Sequence, residues 1–351
     1  MALASPARPP GVIPLARAQG LLRIGRGWQI VKPPHPRDPP VPPEPSAPPA
    51  TDVLARAAGL PALVTAVAHP CDEPSLAGAL AARDRGLIAP LLIGPEEKIR
   101  RVAAEAGLDL TGVPIDPVPH SHAAAARAVE LVRRAEARTI MKGSLHTDEL
   151  LAEVVRRDIG LRTARRISHV FVLQVPGYDR LLFVTDGAVN IDPCLEEKAD
   201  IVQNAIDLAR TLGVARPRVA ILSAVETVTS KLRSTLDAAA LCKMADRGQI
   251  TGGLLDGPLA FDNAVSPEAA RTKGITSEVA GRADILVAPD LESGNILAKQ
   301  FGHFSGATAG GIVLGARVPV ILSSRADSLA SRVLSAAVAV VFANARPAAA
   351  T

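Results

Sequence analysis

The chain is poor in aromatic residues and in cysteine, and each shortage argues against a class of protein. Only 2% of the 351 residues are aromatic, so the base-stacking surfaces of nucleic-acid-binding proteins are not expected. The three cysteines, Cys71, Cys194 and Cys242, form no CxxC pair. This spacing argues against a disulfide framework or a cysteine zinc site and fits a reducing, cytoplasmic compartment. No apolar run reaches the roughly 18 residues that a membrane span needs.

The formal net charge of +4 belongs to the N-terminal tail. Residues 1–50 carry six basic and two acidic side chains, whereas the rest of the chain carries 33 of each sign. The folded part is therefore neutral and gives no support for a nucleic-acid partner.

Proline separates this tail from the rest of the chain. Of the 30 prolines, 14 lie in residues 1–50, most densely from Pro33 to Pro49. Proline lacks a backbone donor and fixes φ, so this run predicts an extended linker that joins no sheet. Residues 1–50 are therefore predicted to be a disordered tail or linker. A targeting segment is not favoured, because the tail is poor in serine and has no long apolar core.

From residue 60 onward, short apolar runs alternate with alanine-rich amphipathic segments. The predicted strands are 63–68, 90–93, 139–141, 169–175, 181–184, 219–222, 285–287 and 320–322. The predicted helices are 75–86, 95–107, 121–137, 147–158, 195–213, 232–247, 292–301 and 327–342. Apolar strands separated by helices predict an α/β fold with a mostly parallel sheet covered on both faces. In such sheets ligands bind beyond the carboxyl ends of the strands.

Two strand ends carry residues suited to an anion. One has Lys142 and Gly143, followed by Ser144 and His146; a lysine beside exposed helix amides forms an anion site, and an ordinary capped turn is the alternative. In that turn Ser144 or Thr147 would cap the helix.

The other strand end comes after the last predicted strand and has the residues Ser324, Arg325, Asp327 and Ser328. The arginine can grip phosphate with two donors, and the two serines can add hydrogen bonds to the same anion. A surface Arg–Asp pair is the alternative.

The remaining polar segments allow several interpretations. Asp186 and Asp192 suit either a metal or a turn, and turn chemistry is favoured. No third ligand accompanies His120 and His122, so no metal site is predicted. Residues 255–263 read as a polar loop that closes over a substrate, and 301–311 as a glycine-rich stretch without a nucleotide-binding fingerprint.

Several long motifs together resemble the phosphate acetyltransferase and phosphate butyryltransferase family. In chain order they are MKGSLHTDELL, FVTDGAVNIDP, DGPLAFDNAVS, ADILVAPDLESGNILAKQ and VPVILSSRADS. The likeness runs from about residue 60 to 343. It is strongest for a branch that is often fused behind an enoyl-CoA hydratase-like domain. That domain is not expected in this chain, and the proline-rich segment resembles the linker that would follow one.

The resemblance implies exchange of an acyl group between coenzyme A (CoA) and inorganic phosphate. Both are substrates; no cofactor, metal, nicotinamide or membrane is involved. It also implies the two-domain α/β/α fold of the isocitrate and isopropylmalate dehydrogenases, with the active site in the cleft. The first domain would comprise residues 51–160 and 312–351, and the second residues 161–311. Family members are commonly homodimers or larger.

The resemblance also assigns roles to residues. Ser324 and Arg325 match the family's serine–arginine pair, in which the arginine binds the transferring phosphate. Asp290 and Asn295 match its PDLxxGN segment, and Lys142 fits the butyryltransferase-like branch.

The family's general base is an aspartate, but Ser331 stands at its position in this chain. Asp327 lies nearby and either replaces that base or caps the following helix.

Three other functions remain open. A metal- and NAD-dependent 2-hydroxy-acid dehydrogenase of the same fold would need a DxxxD-type aspartate cluster, which is missing around residues 280–300. A non-catalytic acyl-CoA-binding subunit would be expected to have lost the Ser324–Arg325 pair. An acyl-carrier-protein:phosphate transferase would share the same site. The preferred acyl length is not encoded in any residue that the sequence alone identifies.

Overall fold

A computed structural model describes residues 21–24, 27–30 and 52–345. The chain divides into two units, residues 1–46 and 47–351. In the first unit, β1 (Leu21–Ile24) and β2 (Gly27–Ile30) form an antiparallel hairpin. The sequence predicts no strand in residues 1–50, so this hairpin was not anticipated. The proline-rich run 33–49 lies outside the described residues.

The second unit alternates strands and helices along the chain. Its strands are β3 (Leu63–Ala68), β4 (Ile88–Gly94), β5 (Ile115–Pro117), β6 (Thr139–Lys142), β7 (Ser168–Gln174), β8 (Leu182–Thr185), β9 (Arg218–Leu222), β10 (Leu254–Leu259), β11 (Ile285–Val287), β12 (Thr308–Leu314) and β13 (Val320–Ile321). Its helices are α1 (Val53–Ala57), α2 (Glu73–Asp84), α3 (Glu96–Glu105), α4 (Ser121–Arg133), α5 (Thr147–Val154), α6 (Leu195–Thr211), α7 (Arg233–Asp246), α8 (Phe261–Val265), α9 (Pro267–Thr272), α10 (Leu291–Phe304) and α11 (Leu329–Asn344).

These strands form one sheet in the order β10-β9-β11-β8-β7-β12-β13-β6-β3-β4-β5. The strands from β10 to β8 are parallel to one another, and so are those from β13 to β5. Between these two groups, β7 pairs antiparallel with β8 and β12, and β12 pairs antiparallel with β13. The two parallel groups therefore run in opposite directions.

Helices cover both faces of the sheet, as continuous apolar strands require. The alanine- and valine-rich α11 is buried along most of its length and packs against β12 and α2. Helices α4 and α5 bury an apolar side against the region of β3 and β6. The predicted α/β class with a mostly parallel sheet is confirmed. Among the described residues, no helix has the length and apolarity to cross a membrane.

Several of the elements that the sequence misses contain glycine or proline, among them β5, β10 and β12. Residues 255–263, predicted as a substrate-closing loop, instead form β10 and the start of α8, so that prediction is wrong. The glycine-rich stretch contains most of β12, where a Cβ on Gly310 would lie 3.0 Å from Leu334 Cγ of α11. Glycine allows this strand to approach the helix closely, although it weakens the sequence signal for a strand.

Candidate anion site at the ends of three parallel strands

The predicted lysine turn and the predicted serine–arginine segment lie side by side. β13 pairs in parallel with β6, with Ile321 opposite Met141, and β6 pairs in parallel with β3, with Lys142 opposite Ala68. The carboxyl ends of these three strands therefore meet at one edge of the sheet. The structure brings together the segments 69–72, 142–144 and 322–328.

The turn after β6 is held against the end of β3. The Gly143 amide donates to the Ala68 carbonyl at 2.9 Å, and a Cβ on Gly143 would lie only 2.5 Å from the His69 carbonyl oxygen. The Ser144 hydroxyl donates to that His69 oxygen at 2.9 Å and contacts His69 Nδ1 at 3.1 Å. Glycine is thus required here by close backbone approach.

Lys142 ends β6 with a buried side chain, 5% exposed. Its Nζ donates to the Gly143 carbonyl at 3.2 Å. Burial lowers the pKa of Lys142, and the positive charges of Arg325 and Arg332 lower it further. These surroundings disfavour the ammonium form.

The segment after β13 forms a tight turn with Arg325 exposed in the middle. The Asp327 carboxylate accepts from the Ser324 amide at 2.6 Å, and the Asp327 amide donates to the Ser324 carbonyl at 3.2 Å. Burial raises the pKa of Asp327. The two hydrogen bonds between Ser324 and Asp327 hold the backbone on either side of Arg325, whose side chain is exposed to solvent.

Two helix-capping expectations are corrected by the structure. Ser328, not Asp327, is the N-cap of α11, where its hydroxyl accepts from the Ser331 amide at 3.2 Å. The hydroxyl of Ser328 therefore caps the helix. His146, rather than Ser144 or Thr147, occupies the N-cap position of α5, where its exposed side chain makes no capping hydrogen bond.

Arg332 is a part of this site that the sequence does not reveal. It lies in the first turn of α11 with its side chain buried, donating to the Ser323 hydroxyl at 2.9 Å and to the Ser324 carbonyl at 2.7 Å. Burial lowers the pKa of Arg332. The available signal was one arginine in an otherwise small and apolar helix. Arg332 positions the backbone that carries Arg325.

The site therefore gathers three cations without a close counter-ion. Within residues 52–345, none of Lys142, Arg325 and Arg332 has a carboxylate oxygen within 4.0 Å of its charged nitrogens. Asp72 and Asp327 act on Lys142 only at longer range. Buried or clustered charges without partners are costly, so this arrangement is suited to a bound anion.

Asp290 and Asn295 occupy a different junction. Asp290 caps α10 by accepting from the Ser293 amide at 2.8 Å, and Asn295 Nδ2 donates to the Gly187 carbonyl at 2.9 Å. These contacts hold α10 to the loop after β8. The structure does not show the two side chains in contact with Arg325.

The pairing register across β7 and β12 relates the end of β8, to which α10 is held, to the end of β13, which carries Arg325. Thr185 ends β8 opposite Val170, Val170 faces Ile312, and Ile312 faces Ile321 at the end of β13. The two strand ends are therefore level, three strand spacings or about 14 Å apart, and point in opposite directions.

The two aspartates after β8 do not form a metal pair. The Asp186 carboxylate is buried and accepts from the amides of Ala188 and Val189 and from the Asn190 side chain, at 2.9, 3.1 and 2.6 Å. Asp192 is exposed and is bound by Arg233 at 3.0 Å. Across residues 52–345, no three acidic, histidine or cysteine side chains are placed to hold a metal ion.

His169 is a second residue that the sequence misses. Its ring is 1% exposed, and within the described residues neither ring nitrogen has a hydrogen-bond partner. Burial lowers the pKa of His169 to about 3. A Cβ on Gly311 would lie 2.5 Å from the Leu322 carbonyl oxygen and 2.8 Å from His169 Nε2, so this ring lies beside the end of β13. The sequence pattern of a strand does not show whether a histidine in it is buried or exposed.

A groove of about 580 Å³ begins beside the lysine turn. Thr147 and Asp148 of α5 line it, together with Leu291 at the start of α10. Arg162, Arg165 and Arg166 also line it; Arg165 pairs with Asp207 and Arg166 with Glu197. The groove combines apolar walls with guanidinium groups, a lining suited to a ligand with apolar and phosphate parts.

Comparison with known proteins identifies the family of the chain. The family model "phosphate acetyl/butaryl transferase" matches residues 118–340. The chain is 64% identical over 286 residues to a phosphate acetyltransferase of Rhizobium meliloti, covering 82% of this chain and 90% of that protein. It is 44% identical over 278 residues to a phosphate butyryltransferase of Clostridium acetobutylicum, covering 79% and 92%.

A solved structure shows the same fold. The crystal structure of a branched-chain phosphotransacylase from Enterococcus faecalis V583 superposes with a TM-score of 0.71 at 29% identity, covering 80% of this chain and 99% of that one. The chain therefore belongs to the phosphate acetyltransferase and phosphate butyryltransferase family, acyltransferases that move an acyl group between CoA and inorganic phosphate.

Proposed function

We propose that the transferring phosphate group binds at the ends of β6 and β13. The observation that carries this proposal is the group of three cations, Lys142, Arg325 and Arg332, that have no carboxylate within ion-pair distance in the described residues. Arg325 would contact the phosphate oxygens directly, because its side chain is exposed on the turn. Lys142 would add positive charge from its buried position at the end of β6. Arg332 would hold the turn after β13 through its hydrogen bond to the Ser324 carbonyl.

The same residues suit the chemistry of the transfer. A CoA thiolate attacks the carbonyl carbon of the acyl phosphate, the C–O bond to phosphate breaks, and phosphate leaves with the electron pair. Charge grows on the leaving oxygens, and preplaced cations stabilise that charge without rearranging. Among the described residues, only the Ser324 amide is bonded to the Asp327 carboxylate. The raised pKa of the Asp327 carboxyl makes Asp327 the candidate to take the proton of the CoA thiol.

CoA itself would lie in the groove beside α5. The groove begins at Thr147, five residues after Lys142, so a thiol arriving from it reaches the proposed phosphate site. Arg162 has no ion-pair partner in residues 52–345 and is the guanidinium available for a CoA phosphate group. Asp290 and Asn295 would support the groove by fixing α10, whose first residue, Leu291, lines it.

We also propose the two-domain division of the isocitrate dehydrogenase-like folds, with the chain leaving the first domain near residue 160 and returning near 312. The support is the sheet itself: strand direction reverses across β7 and β12, which begin at Ser168 and Thr308. The groove between α5 and α10 would then lie between the two domains.

The assembly and location of the protein are further proposals. We propose a cytoplasmic homodimer or larger homo-oligomer, as expected for this family. The exposed Ile296 and Phe304 of α10 are candidates for a subunit contact, since they are the most exposed large apolar side chains of that helix, at 67% and 88%. Light scattering of the native chain and of Phe304→Ser tests this.

A thiol-release assay tests the function. Purified protein is given phosphate and acetyl-, propionyl- or butyryl-CoA, and free thiol is measured with and without phosphate. We expect phosphate-dependent release with at least one of the three. Replacing free CoA by a carrier-bound thiol in the reverse direction separates this reaction from an acyl-carrier-protein transferase. Absence of phosphate-dependent release with all three thioesters would overturn the proposal.

A further inference from the structure

Two lysines are buried in the described part of the chain, and they differ in their surroundings. Lys198 is 4% exposed, and its Nζ lies 2.7 Å from the Asp237 carboxylate. Lys142 is 5% exposed, and its described hydrogen bond goes to the Gly143 carbonyl. The charges near Lys142 on the neighbouring elements are Arg325, Arg332, Asp72 and Asp327. Lys142 is therefore a buried amine without an ion pair, close to two fixed cations.

Because its pKa is lowered, Lys142 provides more of the nucleophilic free amine than an ordinary lysine does, and it lies beside an acylating agent. The reaction proposed for this site produces an acyl phosphate, and acyl phosphates transfer their acyl group to amines. Holding the two groups together in one pocket makes such a transfer far faster than it is in solution. Bulk reagents reach a side chain that is 5% exposed poorly, whereas a substrate bound at the site reaches it directly.

We infer that Lys142 is a site of self-acylation by the acyl phosphate bound at the ends of β6 and β13. This inference rests on the proposed function of the site. The Lys142 nitrogen attacks the carbonyl carbon, an N–C bond forms, the C–O bond to phosphate breaks, and inorganic phosphate leaves with the electron pair. The nitrogen gives its proton to the departing phosphate. The product is an amide, and no further reactant is needed.

Acylation would change the site in a defined way. The amide carries no charge, so one of the three cations that attract phosphate is lost. The modified enzyme would therefore bind phosphate more weakly, and accumulated acyl phosphate would slow its own production.

Mass spectrometry tests this inference on the unmodified chain. The protein is incubated with acetyl phosphate, and acetylation of each lysine is followed over time. We expect Lys142 to be acetylated at least about tenfold faster than the exposed Lys231, since only Lys142 lies beside the bound reagent. The buried, paired Lys198 should remain unmodified. Excess inorganic phosphate should slow acetylation of Lys142 and leave that of Lys231 unchanged.

Two controls separate this inference from the proposed function. In Arg325→Ala, which weakens the grip on phosphate, acetylation of Lys142 should slow while that of Lys231 stays the same. Thiol release is measured on the same samples. If the protein is active but Lys142 is modified no faster than Lys231, or phosphate gives no protection, self-acylation is wrong and the function stands. If Lys142 is modified and protected while no thioester is consumed, the acyltransferase proposal fails instead.

Discussion

Lys142 and Lys198 are buried to the same extent, yet only Lys198 forms an ion pair with a carboxylate. Lys198 joins α6 to α7 through Asp237, which Arg233 also approaches, at 3.5 Å. Lys142 stands at the end of β6, where the nearest strong charges are positive. Breaking a buried ion pair is costly, and so is leaving a buried charge unpaired. The difference indicates that Lys198 serves the stability of the fold, and it supports the proposal that Lys142 serves a ligand.

The largest expected effect comes from breaking the paired lysine. Asp237→Ala leaves Lys198 buried without a counter-ion, and we expect the free energy of unfolding to fall by about 3–5 kcal/mol. Lys142→Met removes a charge that already lacks a partner, so its cost should stay below about 1.5 kcal/mol. Urea unfolding measures both values, provided that the dependence of the unfolding free energy on urea concentration is the same in the variants and the native chain. Equal losses in the two variants would mean that the lysines do not differ as described.

Arg325 should affect turnover rather than stability. Its side chain is exposed and has no ion pair in residues 52–345, so Arg325→Ala should leave the unfolding midpoint within error. Turnover should fall by about 10²–10³-fold, as expected when one donor to developing charge is removed.

Phosphate-dependent thiol release measures the loss in Arg325→Ala. Arg233→Ala, at an arginine paired with Asp192, is the control and should keep turnover near normal. An Arg325→Ala enzyme of near-native rate would remove Arg325 from the site.

Inorganic phosphate should stabilise the native chain more than it stabilises Lys142→Met. A ligand bound only to the folded state adds about 2.7 kcal/mol at one hundred times its dissociation constant. With the cation of Lys142 missing, the same phosphate concentration should give a smaller rise in melting temperature. Sodium chloride of matched ionic strength is the control. The same rise in both proteins would place the bound phosphate elsewhere.

A pH dependence is also expected to arise at His169. Its pKa is lowered to about 3 in the folded chain, from 6.5 when exposed, so below pH 6.5 the unfolded chain binds a proton that the folded chain refuses. Stability should therefore be constant above pH 6.5 and fall as the pH decreases towards 3, by about 1.4 kcal/mol per pH unit at most. His169→Leu should have a flatter unfolding profile between pH 4 and 6.5. Parallel profiles would contradict this.

The sequence predicts those parts of the site whose residues are adjacent in the chain. Lys142 and Gly143 follow one apolar run and Ser324 and Arg325 follow another, so parallel strands suffice to bring them together. The capping role of Ser328 was not singled out, because serine at the start of a helix suits a cap and an anion equally well.

Long-range packing determines what the sequence does not show. Arg332 stands in an apolar helix and His169 in an apolar strand, and only the tertiary structure shows that both lie against the turn after β13. The separation of Asp290 from Arg325 depends on the reversal of strand direction at β7 and β12, which no local pattern encodes.

The bond between Ser144 and the end of β3 fixes the tautomer of His69. Two oxygens at 2.9 Å need a proton between them, and only the Ser144 hydroxyl can supply it to the His69 carbonyl. His69 Nδ1, at 3.1 Å from the same hydroxyl oxygen, must then carry the ring proton. Burial also lowers the pKa of His69, which keeps the ring neutral. Nε2 is left with a lone pair, so this imidazole can receive a proton at that nitrogen but has none to give.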